Sequence, residues 1–193
     1  MIHFVLGGAR SGKSHFAEQQ ALSLAKTQHK QAVYIATATA FDDEMTARIN
    51  KHQQDRHEKF KLIESPLALS NTLNQTQPAN IYLLDCLTLW LNNVIYSKQG
   101  TAQNVSKEEI DEHLRQEIDL LVCTLVSQFS SENYHIIIVS NEVGLGVIPM
   151  GESTRLFVDY CGWLNQKIAS IAQQVTLLTA GIPLTLKSSS YNE

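Results

Sequence analysis

The sequence predicts an α/β fold built on a mainly parallel, helix-flanked sheet. Three observations carry that prediction. Short, uninterrupted apolar runs alternate with longer segments of helical period, a glycine-rich loop joins the first run to the first helix, and no repeat or linker divides the 193 residues. Continuous apolar runs suit strands covered on both faces, and strand–helix–strand order repeated along a chain implies right-handed crossovers.

In chain order, IHFVL (2–6) is the first strand and KSHFAEQQALSLAK opens a helix over 13–28. AVYIA (32–36) is a second strand, followed by a helix over 42–58 and a weaker strand signal in FKLIE (60–64). A helix over 66–75 precedes the strand IYLLD (81–85). SKQGTAQNVSKEE (97–109) is polar enough for a loop before a long helix over 107–130. IIIVS (136–140), a helix over 152–173, VTLLT (175–179) and a terminal strand in PLTLK (183–187) complete the pattern. Residues 1–187 thus read as one domain, and SSSYNE (188–193) as a frayed tail.

With 44% hydrophobic residues the chain can bury one substantial core. A net charge of −4 gives no general attraction to nucleic acid or anionic lipid, so any basic site must be local. The apolar N-terminal run is too short for a signal peptide, and no apolar stretch is long enough for a membrane span. Cys86, Cys123 and Cys161 are an odd number without a CxxC pair, as expected of reduced thiols in a cytoplasmic protein. The seven histidines form no HxxxH or HExxH pattern, so no zinc site is expected.

GGARSGKS, from Gly7 through Gly8, Ala9, Arg10, Ser11, Gly12 and Lys13 to Ser14, matches the phosphate-loop pattern GxxxxGK[ST]. A strand enters it and a helix leaves it, which is the context the pattern requires. Glycines let backbone N–H groups turn inward around phosphate oxygens, and the helix N-terminus adds its positive dipole end. Lys13 can bridge the outer phosphates and Ser14 can ligate Mg²⁺. The plain alternative is a glycine-rich turn without a ligand. Asp85, closing IYLLD, suits a second Mg²⁺ anchor, and equally an N-cap for a helix beginning near Leu87. Together these residues indicate phosphate transfer or hydrolysis with a nucleoside triphosphate.

DDEMTARINKHQQDR (42–56) places Glu44, Arg48, His52 and Arg56 four apart, in one column of a helix. One reading is a solvated helix with i,i+4 ion pairs. The other is chemical: neutral imidazole is a good nucleophile toward phosphorus, and flanking arginines would neutralise the attacked phosphate. Gln53, Gln54 and Asp55 point away from the column, and His57 is turned off it. A last cluster, VSNEVGLGVIP (139–149), brings Asn141 and Glu142 out at the end of a strand. Ligands bind at such ends in parallel sheets, though a cap and turn would use the same residues.

GGARSGKS, YIATA, DDEMTARINKHQQDR, LLDCLTLWLNN, SNEVGLGVIP and AGIPLTLK together resemble the bifunctional adenosylcobinamide kinase / adenosylcobinamide-phosphate guanylyltransferase family. The likeness runs from about residue 2 to 187, and DxEMxxRIxxHxxxR with NEVGxGxxP is its specific part. It implies a P-loop NTPase fold of the RecA-like type, a homotrimer, Mg²⁺, and GTP or ATP as phosphate donor to a corrinoid. It implies a second reaction too, guanylyl transfer from GTP through a GMP–histidine intermediate. By motif position the histidine is His52, with Lys13 as the other catalytic residue. Gly7 to Ser14, Ala36, Thr37, Ala38, Arg48, Gln53 to Arg56, Glu64 and Asp85 would line the nucleotide sites, and Asn141 and Glu142 the substrate rim. Trp163 stands where the family often has a basic residue. Trp90, Tyr160 and Trp163 could contact the corrinoid or simply fill the core. Two rival functions remain open on the residues: a P-loop small-molecule kinase without a covalent step, and a nucleotide-dependent regulatory ATPase or GTPase module.

Overall fold

The computed structural model describes residues 1–39, 59–100, 106–131, 133–146 and 148–188. The expected helix over 42–58, with Arg48, His52, Gln53, Gln54, Asp55 and Arg56, lies outside the described residues.

Seven strands, β1 (Ile2–Gly7), β2 (Gln31–Ala36), β3 (Lys61–Glu64), β4 (Asn80–Asp85), β5 (His135–Asn141), β6 (Gln174–Thr179) and β7 (Ile182–Lys187), form one sheet in the order β3-β2-β4-β5-β1-β6-β7. All neighbouring pairs are parallel except β6 and β7. The helices among the described residues are α1 (Lys13–Thr27), α2 (Leu69–Asn74), α3 (Leu87–Gly100), α4 (Lys107–Phe129) and α5 (Glu152–Ile171). The sheet is thus mainly parallel and helix-flanked, as the alternating runs predict.

Alternation along the strands feeds two apolar layers. One face sends Phe4, Ile35, Tyr82, Leu84, Ile136 and Ile138 against α2 to α5, where Trp90, Leu121, Phe129, Tyr160 and Leu164 close the larger core. The other sends Val5, Tyr34, Leu83, Ile137 and Val139 against α1. There the helix presents Ala17, Ala21 and Ala25, all buried and four residues apart, so only methyl groups separate it from the strands. Trp90 and Tyr160 are therefore core residues, at 0% and 1% exposure, while Trp163 is 46% exposed with Arg115 5.7 Å over its ring.

The structure departs from the sequence reading in two places. Residues 97–100 continue α3 rather than opening the polar loop, because Leu87, Trp90, Leu91, Val94 and Ile95 repeat at helical spacing and are all buried. The helix expected over 66–75 is confined to Leu69–Asn74, since the chain before it is tied down otherwise: the Leu67 carbonyl accepts from Trp90 Nε1 at 3.0 Å. The last strand turns back antiparallel and lies at the sheet edge. Helix α4 starts where the polar loop was expected to yield to it, on a capping box in which Ser106 Oγ accepts from Glu109 N and Glu109 accepts from Ser106 N. Among the described residues no helix is long and apolar enough to cross a membrane.

Candidate active site at the strand ends

Because β1 to β6 run parallel, their carboxyl-terminal ends share one rim, and the predicted residues that are described lie along it. Register fixes their levels. Glu64 pairs with Ala36, Ala36 with Asp85, and Asp85 with Val139; two residues further along β5, Asn141 pairs with Gly7. Strand β5 stands between the phosphate-loop strand β1 and the Asp85 strand β4. This arrangement, with the loop between β1 and α1, is a P-loop NTPase fold of the RecA-like type. Gly7 and Glu64 lie four strand positions apart, about 19 Å across the sheet.

The phosphate loop takes its shape from close contacts. Arg10 and Gly12 have positive φ, 57° and 92°, and Gly12 caps α1. A Cβ on Gly7 would lie 2.4 Å from Ser11 Oγ and 2.8 Å from the Leu178 carbonyl, so glycine is obligatory; at Gly8 a Cβ would meet nothing within 4 Å. Lys13 is 9% exposed and its ammonium donates to the Gly8 carbonyl at 3.1 Å. The N-terminus of α1 has no side-chain cap and no acidic residue in its first turn. Its free N–H groups beside a lysine are what a polyphosphate needs. Ser14, half-buried, follows in the first turn, and Ala9 and Arg10 are exposed.

Asp85 is half-buried, and Tyr34 Oη donates to its Oδ2 at 2.8 Å. It is not the cap of α3: the Cys86 carbonyl accepts from Trp90 N, so Cys86 holds the capping position. The carboxylate of Asp85 and the hydroxyl of Ser14 are hard oxygen donors, a set that fits Mg²⁺.

Sequence reasoning missed what holds the backbone on either side of this carboxylate. Thr37, at 0% exposure, donates through its hydroxyl to the Cys86 carbonyl at 2.7 Å and accepts from Cys86 N at 2.8 Å. Thr37 N donates to the Asp85 carbonyl. Asn93 of α3, 5% exposed, donates to the Thr37 carbonyl at 2.7 Å and to the Pro66 carbonyl at 3.1 Å. Thr37 therefore spends its side chain on the backbone of Cys86, just past the end of β4, while Ala36 and Ala38 are half-buried on the rim and Glu64 is exposed. Asn93 had one signal in the sequence: it follows Trp90 by three on the buried face of α3.

Asn141 donates to Thr88 Oγ1 at 2.7 Å, and its carbonyl accepts from Asn165 of α5 at 3.1 Å. Glu142 N donates to the Gly7 carbonyl at 3.1 Å, joining this turn to the phosphate loop, and its carboxylate accepts from Gly144 N. The cysteines nearby are chemically quiet. Burial, with the charge of Asp85 second, pushes the Cys86 thiol up to about 11, and burial pushes Cys161 up to about 12. All three cysteines are free.

Residues 3–186 match the family model described as CobU, cobinamide kinase / cobinamide phosphate guanyltransferase. The chain is 40% identical over 188 residues to the bifunctional adenosylcobalamin biosynthesis protein CobP of Pseudomonas aeruginosa, covering 97% of this chain and 98% of the relative. It is 33% identical over 189 residues to the protein named bifunctional adenosylcobalamin biosynthesis protein CobU in Escherichia coli, with coverage of 97% and 100%. Among solved structures, the flagellar accessory protein FlaH from Methanocaldococcus jannaschii overlaps with a TM-score of 0.47 at 13% identity, over 97% of this chain and 78% of that one. So slight an overlap says nothing about activity.

Proposed function

The chain belongs to the cobinamide kinase / cobinamide phosphate guanyltransferase family, and on that premise we propose how one rim serves both transfers. The enzyme is a transferase of adenosylcobalamin biosynthesis that phosphorylates cobinamide and then guanylylates the product. The observation that carries the proposal is the register of the rim, with Gly7 and Asn141 level at one station and Glu64, Ala36 and Asp85 level at another.

In the kinase step the corrinoid hydroxyl attacks the γ-phosphorus of GTP or ATP held by Gly7 to Ser14, and the nucleoside diphosphate leaves. Lys13 and the free N–H groups of α1 stabilise charge spreading over the transferred phosphoryl group. Ser14 and Asp85 would hold Mg²⁺, which when bound neutralises the phosphate oxygens.

In the guanylyl step His52 attacks the α-phosphorus of GTP, a P–N bond forms and pyrophosphate leaves. Arg48 and Arg56 neutralise the attacked phosphate, and as cations they favour the neutral, nucleophilic imidazole. The phosphorylated corrinoid then attacks the phosphorus of the GMP–histidine adduct. The P–N bond breaks, and His52 departs as imidazole after taking up a proton. Support comes from the strand that precedes this segment: β2 ends at this rim with Ala36 in register with Glu64. By family resemblance Gln53, Gln54 and Asp55 would contact the same nucleotide. Asp85 lies two strand positions from Gly7 and Glu64 four, about 19 Å away, and a rim of that width suits two nucleotide poses, one exposing the γ-phosphorus and one the α-phosphorus.

One domain over 1–187 carries both reactions, with Asn141 and Glu142 at the corrinoid side. A homotrimer would find an apolar surface on the outer strand β7, where Ile182, Leu184 and Leu186 are 69%, 58% and 56% exposed on one face. Incubation with α-labelled GTP tests the central claim. His52→Ala should lose labelling of the protein while His57→Ala keeps it; an acid-labile GMP adduct persisting in His52→Ala would refute the assignment.

A further inference from the structure

The AGIPLTLK stretch stands apart from the residues used so far, and its first two residues form the turn between β6 and β7. Ala180 and Gly181 both have positive φ, 52° and 78°, and Thr179 pairs directly with Ile182, so this is a two-residue hairpin turn. Leu178 is in register with Gly7, which puts the turn at the same rim, against the phosphate loop.

Three contacts join them. Gly181 N donates to the Ser11 carbonyl at 2.9 Å. A Cβ on Gly12 would lie 3.4 Å from Gly181 Cα, and one on Gly7 would lie 2.8 Å from the Leu178 carbonyl. Ser11 is 8% exposed and its hydroxyl has no partner, so its backbone carbonyl is the polar group that ties it to the hairpin. In a planar trans peptide the C=O and the following N–H point in opposite directions. Fastening the Ser11 carbonyl to the hairpin therefore turns Gly12 N–H away from it, on the side left for phosphate oxygens.

We propose that the β6–β7 turn is a clasp on the phosphate loop, and that Gly181 is a positioning residue for the nucleotide: it touches no substrate and acts by presetting the Ser11–Gly12 peptide. A Cβ on Gly181 would meet nothing within 4 Å, so the position requires glycine for its left-handed backbone and not for space. Asparagine tolerates that conformation, alanine resists it, and a β-branched residue resists it most. The clasp rests on the reading that Gly7 to Ser14 hold the nucleotide.

The test compares Gly181→Asn, Gly181→Ala and Gly181→Val in the full chain, with kinase KM for nucleotide and for cobinamide, and with the urea midpoint. Nucleotide KM should stay near wild type for asparagine and rise about tenfold for valine, with alanine between, while KM for cobinamide is unchanged. Should valine fail to fold, the asparagine–alanine pair carries the same ordering. Lys187 anchors the far end of β7 through the Ala169 and Ser170 carbonyls, both at 3.1 Å. Lys187→Ala should lower the urea midpoint and leave nucleotide KM alone. A folded Gly181→Val or Gly181→Ala enzyme with wild-type nucleotide KM, or with both KM values raised together, overturns the clasp. Lys13→Ala separates the premise: if it binds nucleotide normally, the phosphate-loop reading fails and not the clasp alone.

Discussion

Replacing Thr37 with valine keeps the shape of a fully buried side chain and removes one hydroxyl. That hydroxyl answers both backbone groups of Cys86. The Cys86 carbonyl retains Trp90 N as a donor, but the Cys86 N–H is left buried without an acceptor. An orphaned buried donor costs about 1–3 kcal/mol, and the lost O–H···O bond about 1 more, so the variant should lose about 2–4 kcal/mol. With a urea slope of about 2 kcal/mol per molar, the unfolding midpoint should fall by about 1–2 M with the slope unchanged. Thr37→Ser keeps the hydroxyl and should lose about 1 kcal/mol, the value of the missing methyl. Because Asp85 precedes Cys86, a second effect should accompany the first: Thr37→Val should need more Mg²⁺ for half-maximal binding of a non-hydrolysable nucleotide, and Thr37→Ser should not. Equal midpoints for valine and serine would refute the reasoning, since the hydroxyl would then do nothing that the methyl does not.

Other outcomes follow from single contacts. Gly7→Ala must push Ser11 and the Leu178 carbonyl apart and should abolish nucleotide binding measured by equilibrium titration, whereas Gly8→Ala, with open space at its Cβ, should stay within about 0.5 kcal/mol of wild-type stability. His3 is 3% exposed and burial lowers its pKa to about 4. The unfolded chain binds that proton near pH 6.5 and the folded chain does not, so stability should fall as pH drops from 6.5 toward 4 and not further below. At pH 5 the loss is about 2 kcal/mol, and urea midpoints of wild type and His3→Phe at pH 7.5 and 5 should differ by that share. Ser106→Ala breaks the capping box of α4 and should cost about 1 kcal/mol by the same measurement.

How much of this was legible in the sequence depends on how local each cause is. IHFVL, IYLLD and IIIVS needed only their own apolar continuity to declare buried strands, and GGARSGKS needed only its flanks. The stripe Leu87, Trp90, Leu91, Val94, Ile95 was just as local and fits the helix expected to begin near Leu87, but the polar residues from 97 on hid how far that helix continues. The antiparallel return of β7 was readable in principle, because three residues between VTLLT and PLTLK cannot hold a parallel crossover. Thr37, Cys86 and Asn93 were not. They are 49 and 56 residues apart, and nothing near any of them reports the others. The same holds for Gly181 and Ser11, whose bond depends on the sheet placing β6 beside β1.

The three alanines of α1 give this site a depth stop. A 15-residue helix seated on methyl groups lies low over the strands, so five residues from Gly8 to Gly12 suffice to pass from the end of β1 to the first turn. Valine or leucine at 17, 21 or 25 would jack the helix outward and stretch that bridge, lifting Lys13 from its seat without touching any residue of the loop itself. The floor under a helix thus sets the depth of the cup at its end.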